Sequence, residues 1–331
     1  MRVSSTLVTV LALGALAATG CGKVPGIGGK SKVDPNSCGN YAVSDAGRKL
    51  KGFLEATVAL EVAANKVESV VKESCVIMGQ ELKMPASDLS GSTDAVCNKV
   101  IENLKAGMSA SFKAEAKLDV QYTPAVCTVN ADIAARAAAQ CEAKAEADIG
   151  VTCSGTCNGT CEGQCTGSGT AGTGGSSGSG NCNGQCSGTC RGGCDGTADV
   201  NASAQCKAEA EVKASVDVEC TEPSLTVNAD ASAVLDTSKA ELTLAAIRNG
   251  MPKMLSVQAR LRPLQAAFTT WAKSARELGA ASGELAQSFK DQALCISGQI
   301  SGAVSAIAHI EASISVSVSV SASASGSVGT N

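Results

Sequence analysis

Eight cysteines stand in two runs, CSGTCNGTCEGQC (153–165) and CNGQCSGTCRGGC (182–194), one at every fourth position. Thiols at this density can hold a soft metal, exchange electrons or cross-link. Structural zinc sites favour C-x-x-C pairs in a closed set of four ligands. The C-x-x-x-C spacing fits that poorly, so a metal or redox buffer is the weakest reading. Cross-linking is favoured by the wider set. The central cysteines, at 127, 141, 153, 157, 161, 165, 182, 186, 190, 194, 206 and 220, are separated by 14, 12, 4, 4, 4, 17, 4, 4, 4, 12 and 14 residues. That series reads the same in both directions. Joining outermost to outermost gives Cys127–Cys220, Cys141–Cys206, Cys153–Cys194, Cys157–Cys190, Cys161–Cys186 and Cys165–Cys182, each pair of numbers adding to 347. Two tetrads mirror each other trivially, so the matching 12 and 14 carry the weight. At the same sum Pro124 faces Pro223, Val129 faces Val218, and Gly155, Gly159 and Gly163 face Gly192, Gly188 and Gly184.

An element that positions six such pairs is one long antiparallel hairpin in constant register. Residues i and i+2 share a face of a strand, and every gap within an arm is even, so all six pairs fall on one face. Residues 127–153 and 194–220 alternate small apolar or cysteine with mostly polar positions throughout. Ala, Glu and Lys favour helix. A helix, however, would scatter Val212, Val216, Val218 and the cysteines, so the alternation predicts strand. The expected stalk spans 111–235, with a Gly/Ser tip at 166–181. An isolated hairpin is marginal in water, and disulfides would substitute for core and pin the register.

Helical spacing marks residues 44–79, 92–109, 237–280 and about 283–309, with Ser44 or Asp45 and Ser92 or Thr93 as caps. Pro252 and Pro263 are expected to break or kink the third. These helices predict an antiparallel bundle built from 44–110 and 236–309. Cys75, near the end of one helix, and Cys97, near the start of the next, should meet, leaving Cys38 for Cys295. Residues 310–331 alternate Ile, Val or Ala with Ser and predict a C-terminal strand, beside the returning arm or pairing with a second copy through 310–328. The expected fold class is α+β: an antiparallel helical bundle with a disulfide-laddered hairpin projecting from it.

The N-terminus, MRVSSTLVTVLALGALAATGCGK, has a basic residue, a short apolar run and small residues before Cys21. It reads as an export signal over 1–20. The ending Ala-Thr-Gly-Cys resembles the bacterial lipobox, which implies cleavage before Cys21 and lipid on that residue, with 21–43 as a flexible tether. No later hydrophobic run reads as long enough to span a bilayer. Of 17 cysteines, 16 then remain for an oxidising compartment. The combination of lipobox, Ala/Ser-rich helices and C-x-G-x repeats is similar to cysteine-rich lipoproteins of the myxobacterial type. Only about the first 21 residues of that resemblance are specific, and it implies no activity.

Net charge is −4 with mixed signs, which gives no footprint for nucleic acid, and aromatics are 2% of residues. The lone histidine, His309, has no triad around it, and the glycine runs lack a phosphate-loop lysine. No enzyme, cofactor or metal site is expected. The leading functional reading is a structural or adhesive surface lipoprotein, lipid-anchored in the cell envelope and most naturally at the outer membrane. It has an unidentified protein or surface partner. The rival is a periplasmic or envelope binding module whose bundle holds a ligand or partner.

Overall fold

The computed structural model describes residues 33–39, 44–113, 118–170, 178–282, 289 and 292–329. The expected signal peptide, Cys21, most of the tether and the centre of the tip lie outside them.

Helix α1 (Asp45–Glu81) starts at Ser44, whose Oγ accepts from the Gly47 amide at 3.0 Å. Helix α2 (Thr93–Ser111) is capped in the same way by Ser92. Each cap satisfies an amide that the first turn leaves without a partner. Three of the chain's seven aromatics, Phe53, Phe268 and Trp271, meet in the bundle. Trp271 is fully buried, stacks on Phe53 with ring centroids 6.0 Å apart, and donates to Thr57 Oγ1 at 3.0 Å. Leu54, Leu60, Leu104, Met254 and Leu264 complete this core.

Residues 131–142 and 204–216, expected in the hairpin arms, are helices α3 (Ala131–Glu142) and α4 (Ala204–Val216). The alternation in α4 has a helical cause. Residues two apart on a helix point about 200° away from each other. A helix buried on two opposite faces therefore hides every second residue. Ala208 and Val212 face the bundle core, while Ala210 and Ala214 face a second core containing the cysteines. Period two marked two-sided burial, and the Ala/Glu/Lys propensity decided the backbone.

Helix α5 (Thr237–Ala280) passes through Pro252 and Pro263 as a single element, so the expected break is absent. Helix α6 (Ala293–Gly329) extends through the expected C-terminal strand and replaces it. Its buried positions Ile296, Ile300, Ala303, Ile307, Ile310 and Ile314 step by four and three, the seam of one helix against others. Farther along, Ser317 is buried, and its hydroxyl donates to the Ser313 carbonyl at 2.8 Å, which removes the penalty of enclosing it. By length and composition Ala293–Val320 suffices to cross a membrane, contrary to the sequence reading; here it packs against α1 and α5.

The strands depart from a single constant register. The outer pairs keep the sum of 347: β1 (Leu118–Thr123) lies against β10 (Ser224–Ala229), and β2 (Cys127–Asn130) against β9 (Glu219–Cys220). Phe112 meets Val234, one residue off it. Inward of the helices the backbone sum is 351. It joins β3 (Val151–Cys153) to β8 (Ala198–Val200), β4 (Cys157–Gly163) to β7 (Thr189–Asp195), and β5 (Cys165–Gly169) to β6 (Gly178–Cys186). Strand β6 also pairs with β4, Cys157 opposite Gly184, giving the order β5-β6-β4-β7-β2-β9. The hairpin thus winds back on itself as a coil, where a straight projecting ribbon was expected. The fold class remains α+β.

Candidate functional site

The coil is built from the C-x-G-x repeat. Cys157, Cys161, Cys190 and Cys194 are fully buried, and the remaining cysteines of the two runs nearly so. Bridges join Cys153–Cys194, Cys157–Cys190, Cys161–Cys186 and Cys165–Cys182, with Cα atoms 5.4–5.9 Å apart. None of these links backbone partners. Cys157 lies opposite Cys194 and Cys161 opposite Cys190, with Gly159 opposite Gly192 between them. The Cys157–Cys190 bridge therefore runs diagonally over a pair of glycines, which explains how bonds at sum 347 coexist with a backbone at 351. The glycines are required by close approach. A Cβ on Gly159 would lie 2.0 Å from the Arg191 carbonyl oxygen, and one on Gly167 would lie 2.8 Å from the Gly184 Cα. Neighbouring bridges stack: the sulfurs of Cys153, Cys190 and Cys194 lie within 4.8 Å of one another. All three are oxidised into bridges, so they offer no thiolate to a metal.

Four further bridges, Cys127–Cys220, Cys141–Cys206, Cys75–Cys97 and Cys38–Cys295, tie the coil's base and the bundle. Cys141–Cys206 links α3 to α4. Alongside it, Glu142 Oε1 accepts from the Ser203 amide at 2.6 Å, and Glu142 Oε2 lies 3.6 Å from Lys49 Nζ. Burial works to raise the Glu142 carboxyl, but the Ser203 bonds and Lys49 outweigh it and hold it below the usual range.

Helix α4 is locked to α1 by a buried carboxylate. Glu209 sits where Gly52 lacks a side chain, and its Oε1 accepts from Lys213, which also lies 3.6 Å from Glu55. Glu209 Oε2 is buried without a hydrogen-bond partner. Burial pushes Glu209 up, only partly opposed by Lys213. Burial also raises Glu211, against Thr270 and Lys207. A cavity beside Glu211 and Pro263, about 10 Å³, has room for about one water.

No family model, curated protein or solved structure matches the chain. The coil's outer face carries the x positions of the repeat. Across adjacent strands Ser168 lies beside Asn183 and Asn183 beside Asn158; one row along, Asn181 lies beside Thr160 and Thr160 beside Arg191. Several hydroxyls are spent on backbone amides: Thr170 Oγ1 accepts from Asn181 N at 3.1 Å, and Ser154 Oγ from Thr197 N at 2.8 Å. Arg191 is turned to the Glu146 carbonyl at 3.1 Å. Among the described residues, the carboxamides of Asn158, Asn181 and Asn183 make no intramolecular hydrogen bond. Sequence reading passed over this face. The signal was present in the x positions, nine of which, out of twelve, are Ser, Thr, Asn or Gln.

Of the other residues singled out, His309 is half-buried on α6, and residues 310–328 belong to that helix. Cys21 lies outside the described residues. Eight disulfides are the chemistry of an oxidising environment.

Proposed function

We propose that the protein is a structural or adhesive module of the cell envelope, tethered by lipid on Cys21, which displays the sulfur-cored coil to the exterior. One observation supports this above others: the coil fills its inner face with disulfides and the glycines between them, and presents an outer face of polar, mostly uncharged groups. A covalent core of this kind resists proteolysis and local opening without a large hydrophobic interior. The bundle serves as its base, gripping α4 from the side opposite the coil. Residues 33–39 belong to the expected flexible tether, but they are fastened to the bundle by Cys38–Cys295 and by Asp34 N donating to Gln299 at 2.7 Å.

Replacing 154–193 with a short Gly/Ser link, which keeps Cys153–Cys194, tests the reading. Surface attachment or assembly should be lost while Trp271 emission remains native. Unchanged attachment would overturn it. Mass spectrometry of the mature N-terminus should find lipid on Cys21 and none in Cys21→Ala. Thiol titration of the native protein should find no free thiols; reactive thiols together with bound metal would favour a metal or redox buffer instead.

A further inference from the structure

We propose that the outer face of the coil binds neutral, hydroxyl-rich saccharide chains in a groove across strands β5, β6 and β4. The inference deepens the proposed function and rests on the coil being displayed. The groove is open, about 290 Å³, and is lined by Asn158, Gly159, Ser168, Asn181, Cys182 and Asn183. The ladder fixes its polar groups. Ser168, Asn183 and Asn158 stand side by side on three adjacent strands, and Asn181 follows two residues along from Asn183. Neighbouring groups are thus spaced at about 4.8 Å across the strands and roughly twice the 3.3 Å rise along them.

Three features select the ligand class. First, each carboxamide offers two donors and an acceptor, and these three are unspent within the protein. A saccharide hydroxyl both donates and accepts, so a run of hydroxyls can satisfy such a row. A purely apolar ligand would leave it unpaired. Second, among the described residues no charged side chain lines the groove. An ionic ligand would find no counter-charge, whereas a neutral one forfeits nothing. Third, the wall is fixed, because the central strand β6 is stapled to both neighbours, Cys182 to Cys165 of β5 and Cys186 to Cys161 of β4. Binding then orders little that is not already ordered. Among the described residues no aromatic ring lines the groove, so stacking adds nothing. A few exposed hydrogen bonds give a dissociation constant on the order of a millimolar for one short oligosaccharide. A polymer held by many copies on one surface gains by avidity, which is what an adhesive module needs.

The test is affinity electrophoresis of the full oxidised chain in gels containing dextran, galactomannan or laminarin, with carboxymethyl-dextran as the anionic counterpart. At least one neutral polymer should retard the protein. Asn158→Ala/Asn183→Ala should raise the apparent dissociation constant about ten-fold, while Gln185→Ala, outside the groove, should leave it unchanged. Non-reducing mass mapping of each variant checks that all eight bridges remain. The inference falls if none of the three neutral polymers retards the protein, if the double variant migrates as the wild type does, or if the anionic polymer is preferred. Attachment lost on replacing 154–193 but kept by the double variant leaves display standing and removes the saccharide. Attachment that survives the replacement removes display, whatever the gels show.

Discussion

Gly159 lies directly opposite Gly192, backbone against backbone, with the Cys157–Cys190 bridge crossing over the pair. The diagonal bond and the glycine pair are one device. The missing side chains let the strands close until a sulfur can reach past its backbone partner to the cysteine four residues away.

Gly159→Ala should therefore damage more than a single contact. Its Cβ would be 2.0 Å from a backbone carbonyl that cannot move without opening the ladder. The expected loss is about 3 kcal/mol or more, with mispaired bridges appearing in non-reducing mass maps. Gly193→Ala is the control. Its nearest neighbour would be a Thr128 methyl at 3.4 Å, ordinary contact. A native map and native stability for both variants would show that close approach does not govern the coil.

The Cys75–Cys97 bridge closes a separate 22-residue span inside the bundle, and both residues are fully buried. Replacing both with Ala should cost about 3 kcal/mol, the entropy of a loop that length. Trp271 is the chain's single tryptophan, so urea unfolding followed by its fluorescence reports the bundle alone. A midpoint shift in that probe without lost protection of the coil's bridges is the expected signature.

Two glutamates should pull stability in opposite directions with pH. Burial raises Glu209 in the folded state, so between its unfolded and folded values the native protein holds the extra proton. Its contribution is full below the unfolded value and fades as pH rises through the folded one. Glu142 is held low, so its contribution is present above the unfolded value and is lost as pH falls through the folded one. Glu209→Gln should flatten the decline on the rising side, and Glu142→Gln the decline on the acid side. Chemical denaturation at a series of pH values measures both slopes. A Glu209→Gln profile parallel to wild type would mean that the buried carboxyl does not titrate with folding.

How much of this was legible beforehand depends on which constraint left a trace in residue order. Cysteine identity is explicit, so the spacing of 127 to 220 carries the sum of 347 that the coil's bridges share. Backbone register is set by twist and by glycine contacts between distant residues, and no spacing within either tetrad separates 347 from 351. The caps at Ser44 and Ser92 are local chemistry and stood in the sequence. The alternating segments were ambiguous for a geometric reason: period two describes a strand buried on one face and equally a helix buried on both. In 310–320 the same ambiguity arises because Ser313 and Ser317 go inside. An enclosed serine is rare, but a helix lets the Ser317 hydroxyl satisfy itself on the preceding turn. The carboxamide row needed the wound sheet to bring Ser168, Asn183 and Asn158 together, so residue types alone could only mark them as outward-facing.

That two-faced helix yields a final prediction. Val212 and Ala210 are both fully buried in α4, but in different cores. Val212→Ala empties space beside the bundle and should cost about 1–2.5 kcal/mol, lowering the midpoint seen by Trp271 fluorescence. Ala210→Leu overfills the side facing α3 and the sulfurs, with a penalty of about 1–3 kcal/mol. Its effect should show as faster thiol release under mild reduction. Were 204–216 a strand, both residues would share one face, and the two substitutions would disturb the same probe. Separate responses, fluorescence for Val212→Ala and bridge accessibility for Ala210→Leu, follow only if the helix stands between two cores and holds the coil to its base.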